Sequence, residues 1–198
     1  MRAWREAAAA HKPGIMRLLV LADIDASHWK WETAAVDAVV SCGDVPVSLI
    51  LDAAEAHRCD TILAVTGNHD GAAPFPGRIV DLHLRTHRCG DLVFGGLNGA
   101  WKYKPKGHFL YEQSEVEQFL SKFQPVDVFV SHNSPRGIHD RQDGVHCGFE
   151  GLASYIGRAA PALLLHGHQH ANNETNLGST RIVGVCGHRI VEARRPSR

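Results

Sequence analysis

Short runs of apolar, often branched residues recur along the chain: "IMRLLVLA" from Ile15, "DAVVSC" from Asp37, "TILAVTG" from Thr61, "DLVFGGL" from Asp91, "VDVFVSH" from Val126 and "PALLLHG" from Pro161. Each is too short for an independent helix and is bounded by Gly, Asp, Asn or Pro, which predicts buried strands. Between them, "VPVSLILDAAEAHRC", "SEVEQFLSKF" and "FEGLASYIGRAA" carry apolar residues at helical spacing. Ser114 and Glu117 are placed to form a capping box at the start of the second of these helices. Strands alternating with helices predict an α/β architecture, and "STRIVGVCGHRIVEA" reads as two strands joined at "CGH", an antiparallel supplement. No internal repeat, low-complexity tract or linker interrupts the pattern. The expectation is one domain over residues 15–193, preceded by a variable extension at 1–14 and followed by a short tail at 194–198.

Composition narrows the class. With 198 residues and 44% hydrophobic content, the chain can bury a substantial core. Its 21 basic residues balance its 21 acidic ones, so no global positive field gathers nucleic acid or an anionic membrane surface. A phosphate-bearing ligand would have to be held locally. Cys42, Cys59, Cys89, Cys147 and Cys186 are odd in number and form no CxxC pair, which argues against a disulfide framework and a cysteine zinc finger. Reduced thiols in a cytoplasm fit this usage. No apolar stretch reaches the ~20 residues of a membrane span. "FGGLNGAW" lacks the Lys and Ser/Thr of a nucleotide-binding P-loop.

The polar residues change the picture, because they fall where the apolar runs end. "LADID" sets Asp23 and Asp25 past one strand, "SCGD" sets Asp44 past the next, and "TGNHD" sets Asn68, His69 and Asp70 past the third. "VSHN" adds His132, and "LLLHGHQHANN" adds His166, His168 and His170 on alternate positions. Singly, each residue could be a turn former or a helix cap. Together they lie on five strand ends, and in an open α/β sheet ligands bind at the carboxyl ends of strands. Carboxylates, imidazoles and a carboxamide suit divalent first-row metals without sulfur. There are more of them than one tetrahedral ion needs, which favours two ions ~3.5–4 Å apart, able to bind phosphoryl oxygens and acidify a water.

In this order "GD", "GNHD", "SH" and "GHQH" resemble the motifs of the calcineurin-like metallophosphoesterases, over nearly the whole chain from Ile15 to about Ala193. The resemblance implies a two-sheet β-sandwich flanked by helices (α/β/β/α) with a dinuclear centre at one end of the sheets. It implies that Asp23, Asp25, Asp44 and His170 hold one metal, that Asp44 bridges, and that Asn68, His132 and His168 complete the second. His69 would assist the leaving group, oriented by Asp70. The family's first motif is Asp-x-His, whereas this chain has Asp23-Ile24-Asp25; Asp25 has the matching spacing, and His28 is the alternative. The extra carboxylate favours harder cations, so manganese is the expected occupant, with magnesium, iron and zinc as alternatives. The activity implied is hydrolysis of phosphomonoesters or phosphodiesters by attack of metal-bound hydroxide, acting on a small phosphate ester, with nucleic acid not indicated by charge and no membrane partner. The competing reading is a catalytically weak metal-binding scaffold or regulatory protein with the same fold, motivated by Asp25. A hydrolase of non-phosphate bonds ranks third, because the His-x-His-x-Asp-His run of metallo-β-lactamase-like enzymes is absent.

Several other groups have a bland and a functional reading each. His166 reads as a supporting or packing residue, and Gln169 is expected to point away from the centre. His139, Asp140, Asp143 and His146 form either a rim above the metals or a solvated loop network. Lys102, Lys104 and Lys106 with Trp101 and Tyr103 read as a charged surface loop before a phosphate-binding one. Trp29 and Trp31 either cover the site or the core edge, and no motif fixes the role of Asn98.

Overall fold

The computed structural model describes residues 14–32 and 34–195. The expected extension therefore lies outside the described residues except for Gly14, as does the end of the expected tail. The order begins with β1 (Ile15–Ala22), β2 (Ala38–Ser41), α1 (Val47–Ala56), β3 (Ile62–Ala64), β4 (Val80–Asp81), β5 (Thr86–Cys89) and β6 (Leu92–Leu97). Next come β7 (Ala100–Trp101), β8 (Leu110–Tyr111), α2 (Gln113–Ser121), β9 (Val128–Ser131) and α3 (Glu150–Ala159). β10 (Leu163–His166), β11 (Asn173–Leu177), β12 (Thr180–Gly184) and β13 (Gly187–Arg194) complete the fold.

Two main sheets result, ordered β13-β1-β2-β3-β4 and β11-β12-β10-β9-β6-β5, with a small β7-β8 pair beside them. Alternation along each strand explains why they stack. Leu18, Val20 and Val40 of the first sheet meet Phe94, Val128, Val130, Leu163 and Leu165 of the second in one shared apolar layer. The intervening residues face outward: Leu19, Leu21 and Val39 receive Leu49, Ile50 and Ala53 of α1. Phe129, Leu164 and Ile182 receive Val116 and Leu120 of α2 and Leu152, Tyr155 and Ile156 of α3. Both faces of each sheet are buried, which is why the strands read as continuous apolar runs. The order of layers is α/β/β/α, as the resemblance implied.

The parallel pairings decide where chemistry can sit. β1, β2 and β3 run parallel, as do β6, β9, β10 and β12, so the carboxyl ends within each sheet share an edge. The two strands read from "STRIVGVCGHRIVEA" exist, but they do not pair as an antiparallel unit. β12 lies parallel to β10 in the second sheet, while β13 pairs antiparallel with β1 in the first. The chain crosses between sheets at Val185 and Cys186, and Val183 and Val185 before the crossing fill the same apolar layer between the sheets as Val191 and Ala193 after it.

The capping box also lies elsewhere than expected. Glu112 caps α2, its carboxylate taking the Glu115 amide while the Glu115 side chain takes the Glu112 amide at 2.8 Å. A carboxylate suits a helix N-terminus better than a hydroxyl because it also meets the helix dipole. Starting the helix at Gln113 frees that side chain to bind the Gly148 carbonyl and the Glu150 amide, tying α2 to α3.

Leu165 is fully buried between the sheets. Replacing it with Ala should cost about 2–5 kcal/mol, read as a lowered urea midpoint with unchanged denaturant slope. A loss under about 1 kcal/mol would show that the sheets close over the gap.

Candidate metal centre

The loops after β2 and β3 are interlocked by backbone and carboxylates. Asp44 Oδ1 accepts the His69 amide at 2.8 Å, and Asp70 Oδ2 accepts the amides of Asp44 at 2.9 Å and Gly67 at 2.7 Å. So close an approach needs glycine on both sides. A Cβ at Gly67 would fall 2.0 Å from Asp44 Oδ1, and one at Gly43, where φ is +92°, would fall 2.4 Å from the Gly67 nitrogen. Asp70 thus fastens the two loops. It makes no hydrogen bond with the His69 ring among the described residues; backbone amides hold its Oδ2.

The second sheet reaches into this knot through His132. Its Nδ1–H donates to the Cys42 carbonyl at 2.9 Å, which turns Nε2 toward Asp44 Oδ2 at 3.2 Å and Asn68 Oδ1 at 3.0 Å. Two acceptors therefore converge on one ring nitrogen. Burial alone would lower the His132 pKa, but the hydrogen bond and charge of Asp44 and the charge of Asp23 outweigh it and raise it. Asp44 shows the converse: burial pushes its carboxyl up, and His132 and the His69 amide more than reverse this. The Asn68 amide is oriented by its Nδ2, which donates to the Tyr103 hydroxyl at 3.3 Å.

Asp23 is the least satisfied group in the site. Both carboxylate oxygens are buried and neither makes a hydrogen bond. Burial pushes its pKa up to about 6, His132 pulling it back and the charge of Asp44 raising it further. Asp23, Asp44 and His132 each offer a donor atom within 4.8 Å of the others, and so do Asp23, His170 and Cys186. Asp23 is common to both groups, where the resemblance gave the shared place to Asp44. A buried, unpaired carboxylate beside an imidazole and further donors fits a cation better than it fits any protein partner present.

The histidine turn after β10 is held from behind. The Thr175 hydroxyl lies 2.9 Å from His139 Nε2, His139 Nδ1 lies 2.9 Å from His166 Nε2, and His166 Nδ1–H donates to the Gly167 carbonyl at 2.9 Å. One set of neutral tautomers satisfies this chain, in keeping with burial pushing His166 down to about 3. His166 supports the turn, as expected. His168 is buried, its pKa also pushed down to about 3 by burial, and its Nε2–H donates to the Val145 carbonyl at 3.3 Å, leaving Nδ1 a lone pair. Gln169 is buried, and its amide binds the His146 carbonyl and Ser134 Oγ at 2.9 and 3.1 Å, anchoring the loop after β9.

Four of the predicted ligands have left-handed backbones: Asp23 (φ 53°), Asp44 (54°), His168 (65°) and His170 (50°). This conformation is uncommon for residues with a side chain, though Asp and His tolerate it better than most. It turns the chain sharply at each strand end.

Some expectations do not meet at the site. Asp25 and His28 are both exposed; Asp25 belongs to neither donor group but lines the same cavity as Asp23, Asp44 and His170, while Ile24, Ala26, Trp29 and Trp31 pack with α1. Trp29 and Trp31 cover the core edge: Trp29 Nε1 donates to His188 Nδ1 at 3.0 Å, and Trp31 stacks edge-on to His188. Lys102 pairs with Glu112 at 3.1 Å, while Lys104 lies over the Tyr103 ring. Asn98 Oδ1 accepts the Thr66 amide at 3.0 Å, a structural bond. His146 is the rim residue that reaches the centre, with ring centroids 5.2 Å from His168 and 5.9 Å from His170. Asp143 fixes it through a 2.7 Å bond to Nδ1. Tyr103 and Cys186 were missed as neighbours of the site; the second follows a strand end, the same signal that marked the others.

A cavity of about 670 Å³ opens beside the donor groups, lined by Asp23, Asp25, Asp44, His69 and His170 on one side and by Val45, Val47, Pro74 and Phe75 on the other.

Paired sheets between helices, with acidic and imidazole donors gathered at their strand ends, define the metallophosphoesterase class. The sequence matches the model of the calcineurin-like phosphoesterase superfamily domain over residues 16–189, and the chain belongs to that superfamily. Among solved structures it is similar to TT1561 of Thermus thermophilus, with 15% identity and a TM-score of 0.58 over 91% of this chain and 99% of that one. It is also similar to the phosphopantetheinyl hydrolase PptH of Mycobacterium tuberculosis, with 15% identity and a TM-score of 0.55 over 86% of this chain and 89% of that one. At such identities the likeness is one of fold. No curated protein matches the sequence significantly.

The state of Asp23 gives a pH prediction for metal-free protein. Its pKa is raised on folding from 3.8 to about 6, so ionisation costs the folded state more than the unfolded one. The contribution is neutral below the unfolded value and turns destabilising as pH rises from about 4 to about 6, by on the order of 2–3 kcal/mol. Chelator-treated Asp23→Asn should therefore be more stable than the parent above pH ~6, with the gap closing near pH ~4 in urea titrations. A gap independent of pH would remove Asp23 ionisation as its cause.

Proposed function

We propose that the protein is a metal-dependent phosphoesterase hydrolysing a small phosphomonoester or phosphodiester. The observation that carries this reading is the unpaired, buried Asp23 carboxylate, which meets Asp44 and His132 on one side and His170 on the other, at the mouth of a cavity that His69 also lines. Asp23 and His170 are assigned to one divalent ion, and Asn68, His132 and His168 to a second, with Asp44 between them. Such ions supply a water of lowered pKa and charge for the phosphoryl oxygens. With Asp25 beside Asp23 on the cavity wall, manganese is the expected occupant, and magnesium, iron and zinc are the alternatives.

The chain's own residues do the positioning. His132 is aimed by the Cys42 carbonyl and Asn68 by the Tyr103 hydroxyl, so neither needs to reorganise when a ligand arrives. The His69 backbone is pinned by Asp44, while its exposed ring faces the cavity free to donate a proton or hydrogen bond to a departing oxygen. The wall of Val45, Val47, Pro74 and Phe75 on the same cavity suits an apolar leaving group. Balanced charge favours a small compound over a polyanion as substrate. The five free thiols agree with a reducing cytoplasm.

The test is hydrolysis of an aryl phosphomonoester and an aryl phosphodiester by metal-stripped protein, with manganese, magnesium, iron or zinc added back and bound metal counted. Metal-restored turnover should be lost in Asp44→Asn. His69→Ala should keep its metal and lose ~10²–10⁴-fold in turnover; full activity would remove His69 from the mechanism. The scaffold reading is the runner-up, motivated by Asp25 in place of the first-motif histidine, and it calls for bound metal with no turnover on either ester.

A further inference from the structure

We propose that Cys186 is a metal ligand, its thiolate joining Asp23 and His170 on one ion to give a mixed oxygen, nitrogen and sulfur site. This rests on the metal-dependent reading above. A carboxylate oxygen of Asp23, a ring nitrogen of His170 and Cys186 Sγ all lie within 4.8 Å of one another. The thiol is free, and its sulfur makes no hydrogen bond among the described residues.

Three features show that this meeting is built into the fold. Cys186 follows β12, which runs parallel to β10, so it emerges at the same edge as the histidine turn. The Val185 amide extends that pairing past the strand end, binding the His166 carbonyl at 2.8 Å. Asn172, two residues beyond His170, then holds Cys186 from both sides: its Oδ1 accepts the Cys186 amide at 3.1 Å, and its Nδ2 donates to the Cys186 carbonyl at 3.4 Å. The loop carrying His170 and the link carrying Cys186 are thus fixed to each other.

The donor shortage points the same way. Asp23 has two buried oxygens without a partner, while Asp25 and His28, the residues expected to complete this site, belong to neither donor group. Binding is coordination without redox change: the S–H proton leaves to solvent and the sulfur lone pair goes to the cation. A thiolate is a soft donor, so this site should take zinc, iron or cobalt in preference to magnesium or manganese.

Cobalt(II) is the probe. Metal-stripped full-length protein reloaded with cobalt should show a thiolate-to-cobalt charge-transfer band in the near ultraviolet. The band should vanish in Cys186→Ser and persist in Cys147→Ser, with bound cobalt counted in each. On the unsubstituted protein, zinc should protect Cys186 from iodoacetamide, read by peptide mass spectrometry, and chelation should abolish the protection. Two bound cobalt ions without the band, or a band that survives Cys186→Ser, would overturn the sulfur ligand and leave the phosphoesterase reading standing. Failure of the protein to bind any ion would overturn both.

Discussion

The site depends on the reciprocal grip between the loops after β2 and β3. Asp44 takes an amide from the third strand's loop, while Asp70, on that loop, takes amides from Gly67 beside it and from Asp44. Hydrogen bonds to ionised carboxylates are worth roughly 1.5–3 kcal/mol each, against about 1 for neutral ones. Only paired glycines let the backbones approach closely enough to make them. His132 then crosses from the other sheet and bonds the carbonyl of Cys42, just before the same knot. His132 thus ties the two sheets together at this edge, alongside the bonds that join Thr66 to Asn98 and Gly99, whereas their stacking elsewhere is apolar.

Rigidity here coexists with poor local satisfaction. The centre combines left-handed backbones at four of the predicted ligands with a buried carboxylate without partners. Each is costly by itself, and costs of this kind concentrate at functional positions. The surroundings compensate: an apolar layer between the sheets, apolar layers under the helices, and a bonded run from Thr175 through His139 and His166 to Gly167.

The layered fold was legible because both faces of each central strand are buried, leaving apolar runs that stand out from their flanks. Edge strands were not: β5 (THRC) and β11 (NETNL) are polar and half exposed, so nothing in their sequence separates them from loops. Of the site, the ends of β1, β2, β3, β9 and β10 were visible because each apolar run stops at a metal-competent residue. The end of β12 was read as a strand junction at "CGH", but Cys186 was not singled out there, since a lone cysteine carries little signal. Asp25 shows the limit of spacing, which placed it beside Asp23 on the cavity but does not say which way the chain turns after Ile24. The partner of Asp70 was beyond reach as well, because backbone amides leave no mark in a sequence.

The pairing of β1 with β13 joins residues 15–22 to residues 187–194 in register. The first of the strands carrying candidate donors, β1, must therefore wait for β13 before its outer edge is covered. Loops of this length close slowly, and an open edge meanwhile invites other chains. The crossing link at Cys186 lies in the same late segment. During synthesis the donor group of Asp23, His170 and Cys186 is thus among the last parts of the fold to be gathered.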